Sequence, residues 1–162
     1  HDFVWAADPD YTHVVRKAAN GTMIHVIYNY KPNNATNDSA WEKVADAAVT
    51  VLPFIEKNFG KYPYPQYSFI HGGDGGMEYP MATLVSSPSL GTAFHEWMHS
   101  WYQMVRATNE SLYSWMDEGF TDYATNEIMN MLATEGLIAG MAPSEEIQRR
   151  NYQHRPFAAT KR

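Results

Sequence analysis

Five residues, His95-Glu96-Trp97-Met98-His99, constrain this chain more than any other stretch. On an α-helix, residues four apart stand one turn above each other, so His95 and His99 project from one face. Two neutral imidazoles at that separation can grip one zinc ion, with bonds of roughly 2.0–2.1 Å each. Glu96 lies near the same edge, where it can hold a water rather than the ion. A third ligand is offered nineteen positions beyond His99, by Glu118 in Trp115-Met116-Asp117-Glu118-Gly119-Phe120. Two His and one Glu leave the fourth position of a tetrahedral ion open, which is the catalytic rather than the structural arrangement. In a chain of this His and Glu content the five-residue pattern arises by chance about once in fifty. Adding Glu at one fixed later position lowers that to about one in a thousand, so the three residues are read as a ligand set.

Composition narrows what can surround such a site. The 162 residues suffice for a single hydrophobic core, and 44% apolar with 14% aromatic content marks a globular chain. The net charge of −6, with no basic stripe through the body, disfavours a nucleic-acid or anionic-membrane partner. There is no cysteine, which excludes a disulfide scaffold and a Cys-ligated finger. No apolar run approaches the roughly 18 residues of a membrane span. The chain starts at His1 without an initiator Met, so it is expected to be a piece excised from a longer protein. The compartment stays open, with a periplasmic or secreted setting slightly ahead of a cytoplasmic one.

Local patterns predict an α+β domain, residues 1–90 mainly strands plus one helix, 91–134 the zinc-site helices, and 135–162 a helical or irregular tail. Thr12–Val15 and Met23–Tyr28 are β-branched and aromatic runs flanking Asn20-Gly21, a hairpin signal. His13 and His25 fall inside these strands, without a zinc partner at helical spacing. Lys31–Asp38 reads as a loop, and Ser39-Ala40-Trp41-Glu42 as a capping box. Behind it Trp41, Val44, Ala45, Ala48, Leu52, Ile55 and Phe59 keep helical spacing, with a kink expected at Pro53. Gln66–Ile70 and Met81–Ser86 read as strands. The zinc helix is expected over Thr92–Ala107, and a second helix capped by Ser114 carries Glu118. Asp122, four residues on, shares the neighbouring face and can accept a hydrogen bond from a liganding imidazole. Gly136 ends that helix, and the basic end around Arg149 and Arg150 reads as a solvated face.

Between the strands lies His71-Gly72-Gly73-Asp74-Gly75-Gly76-Met77-Glu78-Tyr79-Pro80. A phosphate cradle would need Lys and Ser or Thr leading into a helix, and none follows. The glycines instead allow backbone to come close to another chain, such as a bound peptide. Glu78 is then either a carboxylate held at that approach, able to pair with an ammonium, or a solvated turn residue.

Gly75-Gly76-Met77-Glu78-Tyr79, His95-Glu96-Trp97-Met98-His99 and Glu118 in Asp-Glu-Gly-Phe, in that order and spacing, resemble the gluzincin zinc aminopeptidases of the aminopeptidase N family. Lys61-Tyr62-Pro63-Tyr64-Pro65-Gln66 is similar to the segment before that family's substrate-edge strand. The motifs span residues 75–118, and the likeness in pattern extends over about 1–134. The resemblance implies a thermolysin-like catalytic domain, here partial, with a C-terminal domain of the parent chain missing. It implies His95, His99 and Glu118 as zinc ligands and Glu96 as general base. It also implies that Gly75, Gly76, Met77 and Glu78 bind substrate, with Glu78 anchoring the free α-amino group of a peptide. Two departures stand out. Tyr79 occupies the place of the family's usual Asn, and the oxyanion-stabilising Tyr is expected beyond Arg162, with Tyr152 too close to fill the role.

The expected activity is removal of N-terminal residues from peptides by metal-activated water. A zinc endopeptidase with the same centre is one alternative, and a non-catalytic, zinc-stabilised peptide-binding module is another. An intact Glu96 argues against the latter, because a structural site needs no base and prefers four protein ligands.

Overall fold

A computed structural model describes residues 2–29 and 34–138. It opens with the predicted hairpin. Strands β1 (Tyr11–Lys17) and β2 (Met23–Asn29) are antiparallel, with Val14 opposite Val26. In the turn, Gly21 sits at φ +94, a region glycine enters without steric cost, and its N–H donates to the Ala18 carbonyl at 2.9 Å. The Asn20 side-chain oxygen accepts from the Thr22 N–H at 2.9 Å and closes the loop.

Helix α1 (Ala35–Phe59) starts a turn earlier than the capping box suggests. Its cap is Asn34, whose side-chain oxygen accepts from the Asn37 N–H at 3.1 Å, while the Ser39 hydroxyl donates back to the Thr36 carbonyl. Asn caps as well as Ser does, so the helix gains another turn over a stretch that reads as loop. Residues 30–33 of that expected loop lie outside the described residues. The helix assignment runs unbroken through Pro53. Trp41, Val44, Ala45, Ala48, Leu52 and Ile55 are buried as their spacing predicts, joined by Val51.

The remaining strands are β3 (Gln66–His71), β4 (Met77–Tyr79) and β5 (Ala82–Val85). Together they form a five-stranded mixed sheet ordered β1-β2-β3-β5-β4. β2/β3 and β3/β5 are parallel, and the two outer pairs are antiparallel. β4 falls where the sequence reads as loop, since three residues are too few to display strand alternation. Its position leaves it at the sheet edge.

One sheet face, bearing Ile24, Val26, Tyr28, Tyr67 and Phe69, is buried against helices. Tyr28 stacks on Trp41 at 5.8 Å between ring centres. Helix α2 (Leu90–Met98) contributes Phe94, Trp97 and Met98. Trp97 packs against Tyr62, Tyr67 and Phe69 at 5.6–6.1 Å. Two polar contacts fix the register of this stretch: the Tyr67 hydroxyl donates to the Glu96 carbonyl at 3.3 Å, and the Trp101 indole N–H to the Gly60 carbonyl at 2.8 Å.

The zinc helix predicted over Thr92–Ala107 is not one α-helix. After α2 the chain widens into a π-helical stretch, π1 (Ser100–Val105), in which Tyr102 (φ −100, ψ 116) and Gln103 (φ 94, ψ −66) leave helical geometry. A second π segment, π2 (Trp115–Gly119), leads into α3 (Phe120–Thr134). Ser114 precedes it without making the capping hydrogen bond its position suggests, because its own backbone is already helical at φ −53, ψ −26.

The chain divides into two compact units, residues 1–128 and 129–162. In the second, Gly136 (φ +70) closes α3 as expected. The Leu137 N–H reaches the Leu132 carbonyl at 2.9 Å and the Gly136 N–H the Ala133 carbonyl at 3.1 Å, a Schellman end. The basic tail lies outside the described residues. No helix among the described residues is long and apolar enough to cross a membrane.

Candidate metal centre

His95 and His99 lie one turn apart where α2 ends, with ring centres 4.9 Å apart. Their Nε2 atoms are separated by 3.3 Å. Glu118, carried by π2, brings Oε2 to 3.1 Å from His95 Nε2 and 3.7 Å from His99 Nε2. A tetrahedral ion with bonds of about 2.0–2.1 Å places its ligand atoms about 3.3–3.4 Å from one another. The three observed separations bracket that value, so one point lies within bonding reach of all three atoms.

The donor chemistry agrees. His99 Nδ1 is 2.6 Å from Asp117 Oδ1, and His95 Nδ1 is 3.1 Å from Asp122 Oδ1. With the proton on Nδ1, where Asp117 can accept it from His99 and Asp122 stands close to His95, each Nε2 would turn a bare lone pair toward the other and toward Glu118. A proton could bridge one pair of these atoms, but a divalent ion satisfies all three. Asp122 thus lies beside His95 Nδ1. Asp117 is the residue the sequence reading missed. It is 5% exposed, the Thr121 hydroxyl lies 3.4 Å from the same Nδ1, and burial pushes its carboxyl up while the His99 charge opposes the shift.

Glu96 is 7% exposed and is not part of the triad. Burial pushes its carboxyl up to about 7. The His99 charge opposes this, and the charges of Glu78 and Glu118 and a hydrogen bond with Glu78 reinforce it. Glu78 is thereby drawn into the centre. It stands opposite Thr83 in the β4/β5 pair, on the sheet face that packs against the helices, and presents an oxygen within 4.8 Å of both Glu96 and His99. Strand alternation puts Met77 and Tyr79 on the opposite face, so Met77 can serve this centre only through its backbone.

The glycines divide in their reasons. A Cβ on Gly76 would collide with Glu96 Oε1 and come within 3.1 Å of the Thr92 methyl. Gly76 is thus the close backbone approach that admits the Glu96 carboxylate. Gly75 and Gly73 have nothing within 4 Å of the place a Cβ would occupy. No known protein family pattern matches the chain and no curated protein matches it, so the identity of this centre rests on its own residues.

Proposed function

We propose that the chain is a zinc metallopeptidase centre that removes single residues from the free N-terminus of a peptide. The observation that supports this best is the convergence of two Nε2 lone pairs and one carboxylate oxygen at tetrahedral spacing, with a separate carboxylate held beside them. A divalent ion held there, zinc for this ligand set, would polarise the scissile carbonyl and acidify a water. Glu96 takes the proton as the water oxygen adds to that carbonyl and passes it to the departing amine. Burial raises the carboxyl above the ordinary range and a bound cation would draw it back down, so the side chain can both take and return a proton. Asp117 and Asp122 hold the imidazoles in the tautomer that presents Nε2.

Position favours an exopeptidase. β4 is an edge strand, so an extended peptide can add to it through main-chain hydrogen bonds. Glu78 projects from that strand toward Glu96, where an incoming ammonium would meet two carboxylates. On this reading the domain is thermolysin-like, belongs with the aminopeptidase N family, and is completed by a further C-terminal domain.

The test pairs metal content with hydrolysis of a free and an N-acetylated aminoacyl reporter. One zinc per chain and a strong preference for the free amine are expected. Glu78→Ala should erase that preference, lowering kcat/KM on the free substrate by about 10–100-fold, as loss of a half-buried ammonium partner implies. Faster cleavage of blocked peptides would favour the endopeptidase instead, and a loaded chain without turnover the binding module.

A further inference from the structure

Beside the centre lies a cavity of about 470 Å³ whose walls include Tyr64, Pro80, Gln103, Met104, Thr108 and Glu110. That size falls in the range of small-ligand pockets. Its position relative to the centre is fixed by Glu110, which presents a carboxylate oxygen within 4.8 Å of one from Glu78 and one from Asp117. The cavity therefore begins where the peptide's first residue would lie if Glu78 holds its α-ammonium.

The wall chemistry is uneven. Tyr64, Pro80 and Met104 offer apolar surface suited to a methylene stem. Glu110 is the one formally charged residue of the lining, and no Lys or Arg is among the lining residues. Gln103, 5% exposed and held at φ 94, donates its side-chain amide to Glu110. That neutral donor fixes the carboxylate against the wall without cancelling its charge. The Thr108 hydroxyl oxygen is buried there with no hydrogen-bond partner among the described residues. A half-buried carboxylate held by a neutral amide, in a cavity lined by apolar and neutral polar side chains with no cation among them, is complementary to a long side chain ending in a cation.

We propose that this cavity receives the side chain of the peptide's first residue and that Glu110 selects a cationic one, lysine or arginine. The inference rests on the aminopeptidase reading of the adjoining centre for the direction in which the peptide lies.

Binding to the zinc-loaded full chain carrying Glu96→Gln tests it without turnover, with L-lysinamide and L-norleucinamide as the probes. They share the α-amine and most of the stem and differ in the terminal ammonium. Lysinamide should bind at least tenfold tighter, and adding Glu110→Gln should bring the ratio of the two affinities close to one. A second variant, Glu110→Lys, should turn the preference toward glutamic acid amide. A ratio near one with Glu110 intact would overturn the proposal. So would a ratio that survives Glu110→Gln, or an equal loss on both probes, which would make Glu110 a partner of the α-ammonium instead. Lysyl and norleucyl reporters with native Glu96 separate the two readings. Turnover without a cationic preference sinks the cavity assignment alone. Selective lysinamide binding with no turnover of either reporter sinks the peptidase reading and leaves the cavity assignment standing.

Discussion

The hairpin-plus-α1 part of the molecule and the stretch from Ser89 to Asp122 are built by different rules. In the first, propensity, spacing and packing agree: the β1/β2 register follows from an Asn-Gly turn, and the α1 stripe is buried from Trp41 to Ile55, with Phe59 half-buried at its end. In the second, two π segments and a left-handed Gln103 interrupt what the sequence writes as helix. Local regularity is given up where side chains must converge, and the packing of Trp97 and Trp101 holds the irregular backbone in place. The contrast teaches that here stability and chemistry are lodged in different residues.

Substitutions can break or sharpen that separation. The largest effect is expected at Glu96: Glu96→Gln should keep one zinc per chain yet lower kcat by about 10²–10⁴-fold, the usual contribution of a positioned base. Loss of the metal along with activity would show that the carboxylate is structural. Next comes Trp41→Ala in the regular part, which should cost about 3–5 kcal/mol of unfolding free energy, as truncation of a fully buried indole does. Denaturant titration measures this, and zinc affinity of the folded variant should stay within a few-fold of the parent. A large drop in affinity would mean the two regions are coupled.

Within the irregular stretch, Asp117→Asn should weaken zinc binding by about 10–100-fold, measured by chelator competition. Asp122→Asn should cost less, because Asp122 is 53% exposed and at 3.1 Å, whereas Asp117 is buried at 2.6 Å. An equal loss would remove the ranking. The smallest effect belongs to His13 and His25, whose rings contact across the hairpin with a 2.8 Å Nε2–Nδ1 separation. Burial, reinforced by the charge of His13, lowers the His25 pKa. A group held below its unfolded value of about 6.5 withholds stability as pH falls through that value, and has no such effect above it. Between pH 7.5 and 5.5, His25→Gln should therefore lose less melting temperature than the parent, by about 1 °C. Identical slopes would leave the pair without a role in acid sensitivity.

Much of the scaffold was readable because it repeats. The α1 stripe from Trp41 to Phe59 spans about five turns, so its phase survives a misplaced start at Ser39 instead of Ala35. The approach of His95 to His99 was readable for a different reason: they need only one regular turn between them, and α2 supplies it. β4 was hidden because three residues carry no period. Asp117 was hidden because α-helical spacing turns it away from the face shared by Glu118 and Asp122, whereas it lies in the π2 segment, 2.6 Å from His99 Nδ1. The Gln103–Glu110 contact was equally illegible, resting on a backbone conformation at Gln103 that no side-chain pattern announces.

Gly76 sets a limit on how this protein can vary. Its two neighbours in the loop, Gly73 and Gly75, face open space at the Cβ position, so a drifting lineage can decorate them with alanine or serine at little steric cost. At Gly76 even one methyl group evicts the Glu96 carboxylate from its seat. A library that randomises the loop should therefore return survivors diverse at Gly73 and Gly75 and invariant at Gly76, with the missing side chain acting as the gatekeeper of the Glu96 carboxylate.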